Sequence, residues 1–378
     1  MKKILLTLVV LLGLLAVLSN YNSKSGKFAE NKTNPSYKIG AALALTGDAS
    51  AWGEASKNAI LLAQEEINVK GGINGANLQI VVEDIKSSSK DSVTAVSKLI
   101  NVDKVNAVMI TWLDSYQGSE SVVPKNIPLI SQDAAIESVN LPETNSNVFS
   151  MWYRTSAKAK VTVDEILKSN VKTLYLVTQN DSYYATLAQF LTKEAEERGI
   201  KVISAEAINP GSDVRTVISK VQASKPDAVF FGAYDEKLSV DFPKRWSELS
   251  KGSISLFADE FLEQSIQSKK VDAKWVDGAK YYVPSQPKAD FVTKYKARFG
   301  IEPMFSAINT YDTVYLLAKY LKDNPRTQTA EDLNTYMLGT KFDTLTYGPI
   351  TFDSIGGVVS DKTAIVMKEV KGGALLEI

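Results

Sequence analysis

From Tyr37 onward, short apolar runs rich in β-branched residues alternate with stretches whose apolar positions recur every three to four residues. The runs at 38–43, 78–83, 107–111 and 128–131 predict strands, and the periodic stretches at 52–69 and 91–102 predict helices. In the second of these helices Val93, Val96, Leu99 and Ile100 share one face. A second series follows with helix 157–169, strand 173–178, helix 183–198 ended by Gly199, strand 201–205, helix 213–223, strand 228–231, helix 237–250 and strand 255–258. Alternation of this kind builds parallel sheets covered by helices on both faces. The expected class is α/β, with two doubly wound parallel-sheet lobes.

Between the two series, residues 148–155 (VFSMWYRT) form an extended aromatic run suited to a chain crossing from one lobe to the other. Beyond Pro284 the pattern turns helical at 290–299, 306–322 and 330–338, with short strands near 348–352 and 364–369. Three helices without intervening strands cannot make a third α/β unit, so they are expected to cover the first lobe, and the last strands to return to the second. This gives three crossings, near Arg154, Pro284 and Tyr347. Lobe 1 is expected over 37–154 and 285–346, and lobe 2 over 155–284 and 347–378.

Residues 1–18 (MKKILLTLVVLLGLLAVL) carry Lys2 and Lys3 followed by an unbroken run of apolar and small residues, the form of an export signal. As a helix the apolar run would reach only about 22 Å, short of a bilayer's ~30 Å hydrocarbon core. A signal over 1–19 is therefore expected. Val17-Leu18-Ser19 is not an Ala-x-Ala site, so an uncleaved anchor stays open. The polar, Gly- and Pro-containing stretch 20–36 reads as a flexible tether. With no Cys after the apolar run, the chain is not a Cys-lipidated lipoprotein. An exported protein is expected, in a periplasm or tethered to the outer face of the cytoplasmic membrane.

Composition narrows the chemistry. The 378 residues include no His and no Cys, which removes disulfides, thiol nucleophiles, Cys- or His-ligated metals and His-based triads. Charge is balanced at 43 basic and 43 acidic residues; losing the first 19 residues removes two lysines and leaves 41 and 43. Neither nucleic acid nor an anionic surface is indicated as a partner. The acid pairs Glu65-Glu66 and Asp259-Glu260 are adjacent in sequence and so do not converge as an acid and base. No enzyme and no cofactor is expected. Thr46-Gly47, after the first strand, is not a phosphate-binding loop of the GxGxxG or GxxxxGK[ST] type.

One set of residues carries a family pattern. Ile39-Gly40, Thr46-Gly47, Trp52-Gly53, Ile67-Asn68, Gly71-Gly72-Ile73-Asn74-Gly75 and Glu83-Asp84 occur in the order and approximate spacing of the type I solute-binding proteins. Tyr153-Arg154-Thr155, Tyr183 within 178–187, the stretch 230–234 and Gly348-Pro349-Ile350-Thr351-Phe352-Asp353 extend the match over residues 37–370. The chain resembles receptors of the branched-chain amino acid type, which deliver ligands to ABC importers. The resemblance implies a monomer that closes two lobes on an amino acid or related small amine or amide, with an ABC permease as partner. A ligand-sensing receptor of the same fold, not coupled to transport, is the alternative.

The resemblance also implies site residues. Ser115, after the third strand, stands where the family offers a hydroxyl to the ligand carboxylate; it also suits the cap of a helix starting near Tyr116. Glu260 matches the acid that pairs with the α-ammonium, and otherwise reads as a solvated loop acid. Trp52 and Tyr183 match aromatic walls from the two lobes, with Tyr184 replacing a common Gly, and Tyr234 is a further wall candidate; each of the three is otherwise a core residue. In Gln132-Asp133-Ala134-Ala135 the usual hydroxyl is missing at Ala135 and an acid appears at Asp133. If Asp133 faces the cleft it favours a cationic or amide ligand over leucine; the alternative is a helix cap.

Overall fold

The computed structural model describes residues 37–112, 118–138, 147–250, 254–326, 328–360 and 365–378. The expected signal, the tether and Ser115 lie outside the described residues.

Five strands, β1 (Tyr37–Leu43), β2 (Leu78–Asp84), β3 (Ala107–Ile110), β4 (Leu129–Ser131) and β5 (Val148–Ser150), form an all-parallel sheet in the order β2-β1-β3-β4-β5. Helix α1 (Ser50–Val69) buries Ala55, Ala59, Ile60, Ala63 and Ile67 against it. The small alanines on this face let another helix lie close. The chain leaves α1 through Gly71 and Gly72, both at positive φ, and a Cβ on Gly72 would sit 2.0 Å from the Ala76 carbonyl oxygen. Helix α2 (Ser89–Asn101) starts at Ser88, whose hydroxyl accepts the Asp91 N–H.

The second series is α3 (Thr155–Lys168), β6 (Thr173–Gln179), α4 (Ser182–Glu197), β7 (Lys201–Ile208), α5 (Arg215–Ser224), β8 (Ala228–Gly232), α6 (Glu236–Leu249), β9 (Ser255–Ala258), α7 (Glu260–Gln267) and β10 (Lys280–Pro284). Its strands lie parallel in the order β7-β6-β8-β9-β10, the same winding as the first sheet. Two antiparallel strands, β14 (Ile365–Lys371) and β15 (Ala374–Glu377), extend it beyond β10. β7 runs three residues past the expected 201–205.

Helices α8 (Ala289–Phe299), α9 (Phe305–Asp323) and α10 (Ala330–Gly339) follow, and α8 and α9 return to α1 as expected. Glu66 of α1 ties them down by accepting bonds from Lys294 (2.8 Å), Tyr311 (2.6 Å) and Tyr315 (2.7 Å).

Two local expectations are corrected. The strand near 348–352 forms, but as β12 (Pro349–Phe352) it pairs only with β11 (Phe342–Asp343) and β13 (Val358–Ser360) in a small antiparallel sheet, not with the second lobe's sheet. Pro349 has no N–H to give a wider ladder, and the sheet packs on the first lobe, where Phe352 meets Phe149 at 5.1 Å and Gly357 bridges to Ser150. Of the helix expected from near Tyr116, the described part is one 3-10 turn, Ser119–Val122, followed by Pro124. Such a turn is too short to carry the helix-dipole argument made for the carboxylate.

Candidate functional site

Each parallel series reverses its winding between its first and third strands, and α/β sheets bind ligands outside the carboxyl ends at such a switch point. In the first sheet the place lies beyond β1 and β3, and in the second beyond β6 and β8. A cavity of about 170 Å³ lies where these ends face one another, and Trp52, Asp133, Tyr183, Tyr234 and Glu260 all line it.

Each wall residue is fixed by its own local chemistry. The loop after β1 is held by Asp84, which accepts the Leu45 N–H (3.0 Å), the Thr46 N–H (3.2 Å) and the Thr46 hydroxyl (2.7 Å). Burial alone would raise this carboxyl, but these bonds and the Lys86 N–H hold it below its usual range. Trp52 then opens α1 beside Gly53, where a Cβ would stand 2.0 Å from the Ala44 carbonyl oxygen, so the Trp-Gly pair lets helix and loop touch.

Trp112, two residues beyond β3, was not foreseen. Its φ is +73°, a rare conformation for a bulky residue, held by its N–H donating to Asp133 Oδ1 at 2.6 Å. Asp133 is no helix cap; the Ala134 N–H is taken by Ser131. Its second oxygen, Oδ2, is buried and has no hydrogen-bond partner within the protein. Burial pushes this carboxyl up to about 7, against the pull of the Trp112 N–H.

In the second lobe, Asp181 caps α4 by accepting the Tyr184 N–H at 2.9 Å, which sets Tyr183 at the cavity. Tyr184 turns inward, fully buried, and its hydroxyl donates to Asp259 at 2.6 Å. Burial, then the neighbouring Glu260 charge, raise the Asp259 carboxyl well above the ordinary range. Gln179, at the end of β6, accepts the N–H groups of Tyr234 (3.2 Å) and Asp235 (2.8 Å) and so fixes the loop after β8.

Glu260 begins α7 and is 4% exposed. Its Oε1 accepts the Tyr153 hydroxyl (2.8 Å) and the ammonium of Lys158 (3.0 Å), while its Oε2 is buried without a partner. Lys158 is wholly buried, donates also to the Tyr183 hydroxyl, and lies 4.4 to 5.5 Å from the ring centres of Tyr153, Tyr183, Trp152 and Tyr282. Burial drives its pKa down and the Glu260 charge opposes that. The acid expected to await a ligand ammonium thus already holds one from the chain.

Rings from the two lobes meet across the cavity. Trp112 is 5.7 Å from Tyr234, Tyr234 is 5.8 Å from Phe261, and Phe261 is 6.1 Å from Trp52. Trp152, Phe261, Asp48, Asp181, Ser182 and Gln264 complete the lining with Ala134 and Ala135. Sequence reasoning passed over Trp112 and Phe261, although each adjoins a strand end already singled out. Lys158 left no signal, because a lysine one turn into an amphipathic helix ordinarily faces water.

The sequence model of the family described as periplasmic binding protein matches residues 36–374. Among individual proteins, the chain is 28% identical over 213 residues to the leucine-, isoleucine-, valine-, threonine-, and alanine-binding protein of Pseudomonas aeruginosa, covering 54% of this chain and 55% of that one. The chain thus spans about half the length of the curated relatives it first matches. Its fold superposes with a TM-score of 0.75 on LivJ, the branched-chain amino acid transporter substrate binding protein of Streptococcus pneumoniae in complex with isoleucine, at 22% identity and 91% and 99% coverage. A solute binding protein of an ABC transporter from Rhodopseudomonas palustris, in complex with 3,4-dihydroxy benzoic acid, superposes at 0.76 with 20% identity, covering 91% and 96%. With a match over nearly all of its two wound lobes, the chain belongs to the periplasmic binding protein family and has the type I fold, three crossings joining the lobes.

Proposed function

We propose that the protein is the extracytoplasmic substrate-binding component of an ABC importer, and that it closes two lobes on an amino acid or a related small amine or amide. The observation that carries this reading is the cavity at the facing carboxyl ends of two equivalently wound sheets, lined from both lobes by Trp52, Tyr183, Tyr234, Asp133 and Glu260. Lobe 1 is assigned to 37–154 and 285–346 together with the small sheet of β11, β12 and β13, and lobe 2 to 155–284 and 365–378, so the segment 347–378 expected for lobe 2 is shortened at its start. Residues 1–19 serve as export signal or anchor and 20–36 as tether. The receptor acts as a monomer and hands its ligand to a membrane permease without chemical change.

The deciding experiment is a thermal-shift screen of amino acids, amines and amides, since a ligand at 100 Kd adds about 2.7 kcal/mol of stability. A raised midpoint that disappears in Tyr183→Ala, with a decrease in the radius of gyration on binding, supports the reading. Midpoints unmoved by all three classes while another class shifts them would remove it.

A further inference from the structure

The two acids that line the cavity from equivalent places in the two sheets, Asp133 and Glu260, have unequal partners. Glu260 is matched by the buried ammonium of Lys158 at 3.0 Å, whereas Asp133, which lines the cavity, is met by backbone N–H groups and no cation, with Oδ2 buried and unpartnered. We infer that the cleft takes a small organic cation without a carboxylate, counter-charged by Asp133 and enclosed by Trp52, Trp112, Tyr234 and Phe261, because Lys158 already neutralises the second acid. This rests on the proposed reading of the cavity as the ligand site and narrows the ligand within it.

Three observations lead there. Trp112, Tyr234, Phe261 and Trp52 form a chain of rings, each 5.7 to 6.1 Å from the next, and aromatic faces attract a cation within about 6 Å. The same interior demonstrates the principle, since the Lys158 ammonium is itself held among four rings. Among the described residues no Lys or Arg lines the cavity, while Asp48, Asp133, Asp181 and Glu260 do. A carboxylate would enter a field of its own sign and meet only neutral donors. The volume suits a compact ligand, since a cavity of ~150 Å³ accommodates benzene. For a zwitterion such as leucine the usual gain at the ammonium end is reduced, because Glu260 offers Oε2 as an acceptor but no uncompensated charge.

The test is isothermal titration of the protein at pH 8 with choline, putrescine, leucine and benzoate. Choline or putrescine is expected to bind, with at least tenfold weaker affinity in Asp133→Asn. Trp52→Leu, which keeps apolar volume and removes the ring, is expected to weaken the same probe by about 2- to 30-fold. Cation binding left unchanged by both variants overturns the inference. Binding of leucine or benzoate with both cations silent also overturns it; if that binding is lost in Tyr183→Ala, the cleft reading stands. Silence of all four probes overturns the inference, and the broader screen above then decides the cleft reading separately.

Discussion

Asp133 and Glu260 stand at equivalent places in the two lobes: each lies two residues past the end of the fourth strand of its parallel series, Ser131 in one case and Ala258 in the other. Trp112 and Tyr234 repeat the relationship two residues past the third strands, at Ile110 and Gly232. The lobes therefore present the same plan to the cavity, an aromatic and then an acid, and differ in how the acid is balanced.

Lys158→Met removes the ammonium and leaves Glu260 buried and uncompensated, so we expect a loss of about 3–5 kcal/mol in urea unfolding. Lys158→Met combined with Glu260→Gln removes both charges and is expected to regain most of that loss. A double variant as unstable as the single one would show that the stem and rings, and not the charge, carry the stability.

Burial raises Asp133 to about 7 and Asp312, whose carboxylate accepts the Leu345 N–H, to about 8, from an ordinary value of 3.8. The folded chain holds these protons more tightly than the unfolded chain. Their stabilisation is complete below the unfolded value and is lost as pH rises through the folded ones. Urea midpoints are expected to fall from about pH 4 to about pH 8. Each of Asp133→Asn and Asp312→Asn should lessen the fall up to about pH 7, and only Asp312→Asn should remove the part between about 7 and 8; a fall unchanged in both variants would contradict the assignment.

Arg154 pairs with Asp353 and, at 3.4 Å, with Glu137, joining the first crossing to the late Gly348–Asp353 segment. Asp353 also accepts the N–H groups of Ile355 and Gly357. Arg154→Ala is expected to cost about 1–2 kcal/mol, because the pair is only partly sheltered from water. It should also broaden the distribution of lobe separations in small-angle scattering, whereas an unchanged distribution would confine Arg154 to local packing.

At Gly232 a Cβ would stand 2.6 Å from the Tyr184 ring and 3.0 Å from Asp259 Oδ2. Gly232→Ala must displace Tyr184, and with it the 5.8 Å stack on Tyr234. We expect a loss of about 1–3 kcal/mol and weaker ligand binding, read by unfolding and titration. Wild-type affinity would show that Tyr234 keeps its place without that support.

The wound sheets were legible because strand and helix periodicities alternate cleanly along 37–131 and again along 157–258. Trp52, Tyr183, Asp133, Tyr234 and Glu260 were legible as cavity residues through the family resemblance, which marks the loops and helix starts that follow the strands. Lys158 was not: its surroundings come from Trp152 and Tyr153 next to it, Tyr183 one helix on and Tyr282 more than a hundred residues away. Helix periodicity has no means of announcing such an enclosure. The small sheet of β11, β12 and β13 was missed as a separate unit because its strands span two to four residues, too few for alternation to declare itself.

The fixed two-residue offset from strand end to wall has an evolutionary consequence. Trp112, Asp133 and Tyr234 are single positions on loops and Glu260 opens a helix, and their backbones are held by other groups, such as Gln179 at Tyr234. On the proposed reading, exchanging Trp112, Asp133 or Tyr234 would alter what the cleft selects while leaving sheet order and crossings intact, whereas Glu260 is tied to the buried Lys158. A lineage would then change its diet by point substitutions at a handful of addresses, without rebuilding the scaffold.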